Sequence, residues 1–332
     1  MTKSWLEWTQ ENLDRNCDPE GIVRILLENK FNLDDIRGMM GSRFPERSSV
    51  PSPIAMDQLY RKRESLTAIQ RSLARLNPKA RAVERRRGVS GAEFLEQYYA
   101  ANRPVMLCDL MTGWKACSRW TPGYLKSTCG DEMVEIMSGR EDDPSYEIEE
   151  APHRKNVRFA EFVDMVMNGK ESNDYYLTAR NNFFARPGVR VLLGDVEPFP
   201  EYLKADDSGD GVYLWFGPKG TITPLHHDLM NIFMAQVQGR KQVKLVPPSE
   251  LDLIYNHHAV YSMVDCAQPD YGRFPKFRDA TVIDVELAPG EVLFLPVGWW
   301  HYVKALDTSI TVSFNNFLFP NEFQWVHPEL RA

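Results

Sequence analysis

The sequence predicts a mainly β fold with helices at its N-terminus and flanks, in the form of an antiparallel barrel or jelly roll. Two observations support this prediction. The C-terminal part of the chain is a series of short β-rich runs separated by turn residues, whereas the N-terminal part has helical periodicity. With 332 residues, 43% of them hydrophobic, the chain is long enough to bury a large core in one or two domains.

The N-terminal residues predict short helices followed by one longer helix. This longer helix starts near Asp57, after a loop rich in proline and serine, and ends at Asn77. Its apolar residues follow a 3-4 spacing, so we expect one face to be buried in the core or against a partner. We therefore divide the chain into a helical region with a linker, residues 1–78, and a β-rich domain, residues 79–332. The apolar residues of the stripe are Leu59, Leu66, Ile69, Leu73 and Leu76.

From residue 89 onward the pattern changes to mixed helix and strand, with a helix predicted over residues 92–101 and a strand over 104–107. After residue 211 the chain becomes β-rich. Gln238 and Gly239 lie between two β-rich runs and predict a hairpin turn. Strands are predicted at residues 212–216, 222–226, 232–237, 242–246, 291–295, 302–305 and 309–314.

The composition excludes several classes of protein. Five cysteines without a CxxC pair predict neither a disulfide framework nor a thiolate zinc site. No apolar run approaches the roughly 18 residues of a membrane helix, and no signal peptide is evident, so we expect a cytoplasmic protein without membrane contact. The net charge of −7 argues against a nucleic-acid partner, although ten Lys and Arg residues gather within residues 61–87. The six carboxylates within residues 141–150 predict a solvated surface.

One pattern indicates a metal site. His226 and Asp228 end a predicted strand, where a period of two places them on one face and His227 on the other. His301 follows a tight turn that contains Gly298. Two imidazoles and one carboxylate leave three adjacent positions open on an octahedral ion, which suits Fe(II) better than zinc. A His-x-Asp pair alone is also typical of a structural hydrogen-bonded pair, so the His301 turn decides this prediction. Other catalytic motifs, including GxSxG and the P-loop, are absent from the sequence.

These stretches resemble the JmjC-type, cupin-like family of Fe(II)- and 2-oxoglutarate-dependent oxygenases. Within that family the chain is most similar to the small hydroxylases of the asparaginyl-hydroxylase branch. The resemblance implies a double-stranded β-helix, a jelly roll of antiparallel strands with the metal near one mouth. It covers roughly residues 89–320 and rests on the segments 223–228, 236–241, 290–301 and 309–317.

The resemblance also implies roles for individual residues. Lys241 matches the lysine that binds the distal carboxylate of 2-oxoglutarate, and such a carboxylate suits a charge-assisted hydrogen bond. The same match assigns Thr223 and Tyr176 as hydroxyl donors to that carboxylate. The catalytic residues, which are also the metal ligands, are His226, Asp228 and His301.

Two further positions depart from the family pattern. Related hydroxylases often have an asparagine six residues after the first histidine, where this chain has Ile232 with Asn231 just before it, so Asn231 is a candidate to face the site. On the last strand the corresponding polar residue is Ser313 or Asn315, and the sequence does not fix this register.

By this resemblance the protein uses Fe(II) and 2-oxoglutarate to hydroxylate an amino-acid side chain of a peptide or protein, with release of succinate and CO2. The alternatives left open are a JmjC N-methyl demethylase, a tRNA or small-molecule hydroxylase, and a non-catalytic cupin-like binding module. A tRNA substrate would contact residues 61–87. A homodimer is also left open, and we expect residues 1–78 to govern substrate choice or dimerisation more than iron chemistry.

Overall fold

The N-terminal part and the remainder of the chain form two compact units, Met1–Leu66 and Thr67–Ala332, in this computed structural model. No helix of the described part of the chain is both long and apolar enough to cross a membrane. The predicted division into residues 1–78 and 79–332 stays a prediction. The structure describes residues 3–15, 17–45, 53–204 and 209–323.

Three short helices form the first unit around a core of their own. They are α1 (Lys3–Asp14), α2 (Pro19–Glu28) and α3 (Leu33–Met40). Asp18 caps α2, because its carboxylate accepts hydrogen bonds from the first turn of backbone N–H groups. The apolar faces of the three helices therefore meet in one small core, which consists of Leu13, Ile22, Val23, Leu26, Ile36 and Met40.

A long helix, α4 (Pro53–Leu76), confirms the predicted helix but not its buried face. The face that packs inward is polar: Thr67 and Arg71 each donate a 2.8 Å hydrogen bond to the carboxylate of Asp252. The described residues do not bury the 3-4 stripe in a core, and its burial against a partner stays a prediction, because helical periodicity identifies an apolar face without saying what covers it. The stripe residues Leu59, Leu66, Ile69, Leu73 and Leu76 are exposed.

Two sheets carry most of the second unit, and their strands are antiparallel apart from the β1–β2 pair. The six-stranded sheet has the spatial order β1 (Glu84–Arg86), β2 (Val105–Leu107), β11 (Val292–Leu295), β8 (Ile232–Gln238), β13 (Ser309–Phe314) and β6 (Val212–Gly217). The four-stranded sheet has the order β10 (Ile283–Leu287), β9 (Lys241–Val246), β12 (Trp300–Ala305) and β7 (Ile222–His227). A smaller sheet orders β4 (Arg154–Arg158), β3 (Met133–Ser138) and β5 (Tyr175–Tyr176).

The flanking helices and the facing sheets enclose two apolar cores. The larger core joins the six-stranded sheet to the flanking helices, where Phe94 contacts Phe294 at a ring-centroid distance of 4.8 Å. The smaller core lies between the two sheets and includes Met106 and Leu293 from one and Val243 from the other. This arrangement confirms the predicted mainly β jelly roll with flanking helices. Those helices are α5 (Gly91–Phe94), which continues as a π-helical turn (Leu95–Tyr99), α6 (Ala116–Arg119), α7 (Pro122–Cys129) and α8 (Phe159–Asn168).

All seven strands predicted after residue 211 are present, but the predicted hairpin at Gln238 and Gly239 is wrong. Strand β8 pairs with β11 and β13, whereas β9 pairs with β10 and β12, so this turn joins the two facing sheets. Gly239 has a φ of 70°, and a Cβ there would lie 2.2 Å from the carbonyl oxygen of Thr308. Only glycine fits this connection between the two sheets. A glycine in a turn does not by itself show whether the turn joins two paired strands or two different sheets.

Candidate metal centre

A cavity of about 300 Å³ opens between the two sheets and contains the predicted metal ligands. Strands β7, β9 and β12 form one wall, while β6, β8 and β13 form the opposite one. Three sets of residues line this cavity. The candidate metal ligands are His226, Asp228 and His301, and the candidate cosubstrate residues are Tyr176, Thr223, Lys241, Ser313 and Asn315. The residues at its rim are Glu147, Glu150, Arg180, Tyr213, Met230 and Tyr261.

The structure brings His226, Asp228 and His301 together. His226 and His301 are paired across β7 and β12, with ring centroids 4.1 Å apart, and Nε2 of His301 lies 3.4 Å from Oδ2 of Asp228. One donor atom from each residue lies within 4.8 Å of the other two, close enough to bind a single metal ion. As predicted from the strand period, His227 points to the other side of the sheet and packs against Trp300.

Both site imidazoles are oriented by the backbone. Nδ1 of His226 lies 2.8 Å from the carbonyl oxygen of Pro224, and Nδ1 of His301 lies 3.0 Å from that of Trp299. A carbonyl oxygen only accepts, so in the neutral form of each ring the proton lies on Nδ1 and the lone pair on Nε2. These are the tautomers that a metal ion requires, and they are present in the protein alone.

The surrounding protein favours uncharged ligands in the absence of a cation. Burial holds the pKa of His301 well below its usual range, so this imidazole is neutral. Burial also raises the pKa of Asp228, although 31% of its side chain is accessible, because the accessible part faces the cavity. A bound cation would offset the desolvation of Asp228, so the three donors fit a divalent metal ion.

The turn before His301 is fixed to the end of β7. The backbone N–H of Gly298 donates to the carbonyl oxygen of Asp228 over 3.1 Å, and Gly298 has a φ of 78°. The side-chain oxygen of Asn231 accepts from the N–H of Val297 over 2.8 Å in the same turn. Asn231 therefore supports the turn from outside the cavity, and the structure does not bring it to the cosubstrate position predicted for it.

At the other end of the cavity, Lys241 and Tyr176 form a buried polar pair, and the guanidinium of Arg140 lies 5.4 Å from the centroid of the Tyr176 ring. Lys241 is 2% exposed, and its Nζ donates a 3.1 Å hydrogen bond to the hydroxyl oxygen of Tyr176. Burial lowers the pKa of Lys241 to about 7 and raises that of Tyr176. Neither a carboxylate nor a second cation pairs with Lys241 among the described residues. An anion entering the cavity would therefore find a buried ammonium donor without a countercharge.

The remaining candidates line the wall between these two ends. Thr223 and His226 both line the cavity, although they are three residues apart on β7, because the pairing of β7 with β12 shifts register between His301 and Val303. Ser313 on β13 and Asn315 just after it also line the cavity. The hydroxyl oxygen of Ser313 accepts a 2.8 Å hydrogen bond from the indole of Trp215. Asn315 lies nearer the rim, where its amide approaches Met230 and Tyr213. The structure thus brings both alternatives to the cavity.

Sequence reasoning missed the residues at the cavity rim. The acidic segment 141–150 was predicted to be solvated, but Glu147 and Glu150 are largely buried and face the cavity. Glu147 pairs with Arg140 at 2.9 Å, and Glu150 pairs with Arg180. Tertiary contacts, which no local periodicity reports, place these charges at the rim.

Comparisons with known proteins agree with this geometry. The model of the family described as "Cupin-like domain" matches residues 91–323. The chain is 33% identical over 247 residues to "JmjC domain-containing protein D" of Dictyostelium discoideum, covering 66% of this chain and 53% of that protein. It is 30% identical over 229 residues to "Lysine-specific demethylase 8" of Xenopus tropicalis, covering 67% and 49%. It is 28% identical over 237 residues to human "HSPB1-associated protein 1", covering 65% and 48%. The chain spans about half the length of the curated relatives that it matches.

Proposed function

We propose that this chain, which belongs to the cupin-like JmjC domain family, is an Fe(II)- and 2-oxoglutarate-dependent oxygenase that acts on a side chain of a protein. One observation carries the proposal. A cluster of two imidazoles and one carboxylate shares a cavity with a buried lysine that has no countercharge among the described residues. A binding module that holds a metal alone has no need of this second group.

His226, Asp228 and His301 would hold the metal. Three protein ligands on one side leave positions open for a bidentate cosubstrate and dioxygen, a ligand set that suits Fe(II). Bound together, Fe(II) and 2-oxoglutarate would activate dioxygen, which is the oxidant. Oxidation of 2-oxoglutarate to succinate and CO2 would take up one oxygen atom and supply two electrons, and hydroxylation of a substrate C–H bond would take up the other oxygen atom and supply two more. The backbone carbonyls of Pro224 and Trp299 keep the two imidazoles in the required tautomer.

Lys241 would bind the distal carboxylate of 2-oxoglutarate, and Tyr176 and Thr223 would add hydrogen bonds to it. Lys241 and Tyr176 are already joined at 3.1 Å, so their donors are oriented before the cosubstrate arrives. Arg240 does not compete for this role, because its guanidinium pairs with Asp307 at 2.8 Å on an exposed surface. Ser313 and Asn315 would line the space between the cosubstrate and the substrate.

The names of the relatives favour N-methyl-lysine demethylation as the reaction. Demethylation and hydroxylation begin with the same step, because an N-methyl carbon that gains a hydroxyl group loses formaldehyde spontaneously. We therefore take demethylation of a protein lysine as the first candidate.

Hydroxylation of an unmethylated side chain is the second candidate. It rests on the resemblance of Lys241, Tyr176 and Thr223 to the asparaginyl-hydroxylase branch, although these residues would bind the cosubstrate in either reaction. The two candidates share the metal and cosubstrate residues. They differ only in the carbon atom that is presented to the metal.

A protein substrate is better supported than RNA. Several cations of residues 61–87 bind the protein itself: Arg71 pairs with Asp252, Arg85 with Glu291, and Arg86 with Glu93 at 2.7 Å. These arginines are not available as a phosphate-binding surface, and the net charge is −7.

The test is consumption of 2-oxoglutarate by the full chain with Fe(II), with and without peptides that carry methylated or unmethylated lysine. We expect succinate in all samples that contain oxygen, and more of it with the correct peptide. Formaldehyde with loss of 14 Da per methyl group would identify demethylation, whereas a gain of 16 Da would identify hydroxylation. The substitution His301→Ala should remove succinate production, and the matched control His257→Ala, an exposed histidine outside the cavity, should not.

Absence of succinate under all of these conditions, in a protein that binds Fe(II), would contradict the oxygenase proposal. Succinate production that survives His301→Ala would contradict the ligand assignment. Turnover stimulated by RNA and by no peptide would reject the protein-substrate part and keep the oxygenase part.

A further inference from the structure

Arg140 is a buried arginine next to the end of the cavity that contains Lys241. It follows β3 by two residues and is only 1% exposed. Charged side chains are rarely buried to this extent unless they are paired. Arg140 does not belong to the cavity lining, so contact with a bound molecule does not account for its burial. Its partners inside the protein therefore indicate what it does.

One nitrogen of the guanidinium, Nη2, donates two hydrogen bonds. The first, of 2.9 Å, goes to Oε1 of Glu147, and the second, of 2.7 Å, goes to the backbone carbonyl oxygen of Ile222. Ile222 begins β7 and directly precedes Thr223, whose side chain lines the cavity. The guanidinium therefore fixes the start of the strand that presents the Thr223 hydroxyl group to the cavity.

Two tyrosine rings lie beside the same guanidinium. Its Cζ atom is 4.3 Å from the ring centroid of Tyr146 and 5.4 Å from that of Tyr176, and both distances are within the range of cation–π contacts. The hydroxyl oxygen of Tyr176 accepts the hydrogen bond from Lys241. Arg140 thus packs against the ring whose hydroxyl group is joined to the buried lysine.

The stability of the fold does not by itself explain this arrangement. Nε and Nη1 of Arg140 have no hydrogen-bond partner among the described residues. Desolvation of a guanidinium is costly, and a buried ion pair can often be replaced by apolar side chains without loss of stability. An apolar side chain would fill the same space, but it could not donate to the carbonyl oxygen of Ile222.

We propose that Arg140 is a positioning residue that sets the hydroxyl groups of Tyr176 and Thr223 for binding the distal carboxylate of 2-oxoglutarate. The inference rests on the proposed function, which supplies the cosubstrate and its two hydroxyl donors. Arg140 acts through these two residues and does not touch the cosubstrate. Its loss should weaken the binding of 2-oxoglutarate and leave the binding of Fe(II) unchanged, because the metal ligands lie at the other end of the cavity.

The first measurement is anaerobic titration of Arg140→Met with 2-oxoglutarate at saturating Fe(II). We expect the half-saturating concentration of 2-oxoglutarate to rise about five- to thirtyfold, the effect of misplacing two neutral hydrogen bonds. The rate of succinate production at saturating 2-oxoglutarate should stay within about twofold of that of the original chain. A loss of rate without a loss of cosubstrate affinity would contradict the proposal.

Two further variants show whether the guanidinium group itself is needed. Arg140→Lys should have an intermediate affinity for 2-oxoglutarate, because an ammonium group can still donate to Ile222 but lacks the planar surface that packs against the rings. The matched control is Arg103→Met. The guanidinium of Arg103 also lies 5.4 Å from a tyrosine ring, that of Tyr98, and pairs with Glu84 at 3.3 Å outside the cavity. This control should bind 2-oxoglutarate as the original chain does.

A double-mutant cycle tests whether Arg140 acts through the two hydroxyl groups. Arg140→Met is introduced into a protein that carries Tyr176→Phe and Thr223→Val, which keeps the aromatic ring and removes both hydroxyl groups. In this protein Arg140→Met should change the half-saturating concentration by less than about twofold, because the groups that it positions are gone. An undiminished effect would show that Arg140 acts through its charge or through packing, and would overturn the proposal.

A second pair of variants covers loss of folding. Arg140→Met leaves the largely buried Glu147 without its partner, which destabilises the fold. The double substitution Arg140→Met with Glu147→Gln removes that unpaired charge, and Glu147→Gln alone is its reference. Cooperative thermal unfolding would show that each protein is folded. A folded double variant that binds 2-oxoglutarate as tightly as Glu147→Gln would overturn the proposal.

The titration of the original chain separates this inference from the proposed function. If the original chain with Fe(II) bound no 2-oxoglutarate, the proposed function would be rejected and the role of Arg140 with it. If the original chain bound 2-oxoglutarate and Arg140→Met bound it equally tightly, only the role of Arg140 would be rejected.

Discussion

The two ends of the cavity hold their polar groups in different ways. At the metal end, backbone carbonyls orient His226 and His301, and a backbone hydrogen bond ties the Asp228 segment to the turn that precedes His301. At the other end, Lys241 is buried with a single hydrogen-bond partner, the hydroxyl group of Tyr176. One end is arranged by the backbone of the fold, whereas the other depends on two side chains.

This difference indicates that the cation and the anion gain their binding free energy from different sources. The metal end is preorganised, so a cation there gains most of its binding free energy from direct coordination. The lysine end is destabilised by its own burial, which holds the pKa of Lys241 at about 7. A bound anion would favour the protonated, charged form of Lys241, which burial disfavours. Substitutions at the two ends should therefore separate loss of catalysis from loss of cosubstrate affinity.

The largest effect is expected at the metal end. His226→Ala or Asp228→Ala should reduce succinate production at least a thousandfold and weaken Fe(II) binding strongly, because two protein ligands hold the ion poorly. Folding should survive, since neither side chain belongs to an apolar core. Steady-state succinate assays and anaerobic Fe(II) titration measure the two effects. Full succinate production by either variant would reject the assignment of these ligands.

The next effect isolates the lysine end. Lys241→Ala should raise the half-saturating concentration of 2-oxoglutarate about ten- to a hundredfold, since a charge-assisted hydrogen bond contributes roughly 1.5–3 kcal/mol. Its affinity for Fe(II) should stay close to that of the original chain. The measurement is 2-oxoglutarate titration at saturating Fe(II) without oxygen, by charge-transfer absorbance. An unchanged titration would mean that Arg180, at the cavity rim, binds the cosubstrate instead.

A smaller effect should follow pH. Because the pKa of Lys241 is lowered to about 7 in the free protein, the lysine is protonated below pH 7 and loses its proton above it. The cosubstrate carboxylate needs the protonated form, so its dissociation constant should be flat below pH 7 and rise toward tenfold per pH unit above it. Titrations from pH 6.0 to 8.5 measure this slope. Lys241→Arg should bind more weakly but with a flat profile, because a guanidinium stays charged throughout. The same slope in both proteins would assign it to another group.

The smallest effect is expected between the two ends. Thr223→Val should raise the half-saturating concentration of 2-oxoglutarate about two- to fivefold, the loss of one neutral hydrogen bond of roughly 0.5–1 kcal/mol. The side chains have nearly the same shape, so packing on β7 should not change. The same anaerobic titration measures it. A shift as large as that of Lys241→Ala would show that the hydroxyl group, and not the ammonium group, dominates the binding of this carboxylate.

The part of the site that could be predicted is the part that lies on regular strands. A period of two placed His226 and Asp228 on one face, and the turn before His301 carried a recognisable pattern of glycine and proline. The role of Lys241 was predicted only through the resemblance to the JmjC-type family. The rim residues Glu147 and Arg180 could not be found in this way, because long-range ion pairs place them there.

Parts of the fold escaped prediction for related reasons. Strands β1 and β4 carry mostly charged and amide side chains, so they have no apolar alternation to detect. The Gly239 turn was predicted to be a hairpin, because glycine is typical both of hairpin turns and of connections that cross from one sheet to another, as it does here. For α4 the predicted period is correct, but packing of its leucines in the core is not observed, since the helix contacts Asp252 through Arg71 and its leucines are exposed.

The hydrogen bond from Gly298 to the carbonyl oxygen of Asp228 has a consequence for the lifetime of the bound metal. The two ligand-bearing segments are distant in sequence and meet where β12 pairs with β7 and where Gly298 bonds to Asp228. Separation of these two strands would release His301 from the other two ligands, so loss of the ion and local opening of the barrel are one event. The rate at which a chelator removes the metal should therefore follow the hydrogen-exchange rates of the β7 and β12 amides.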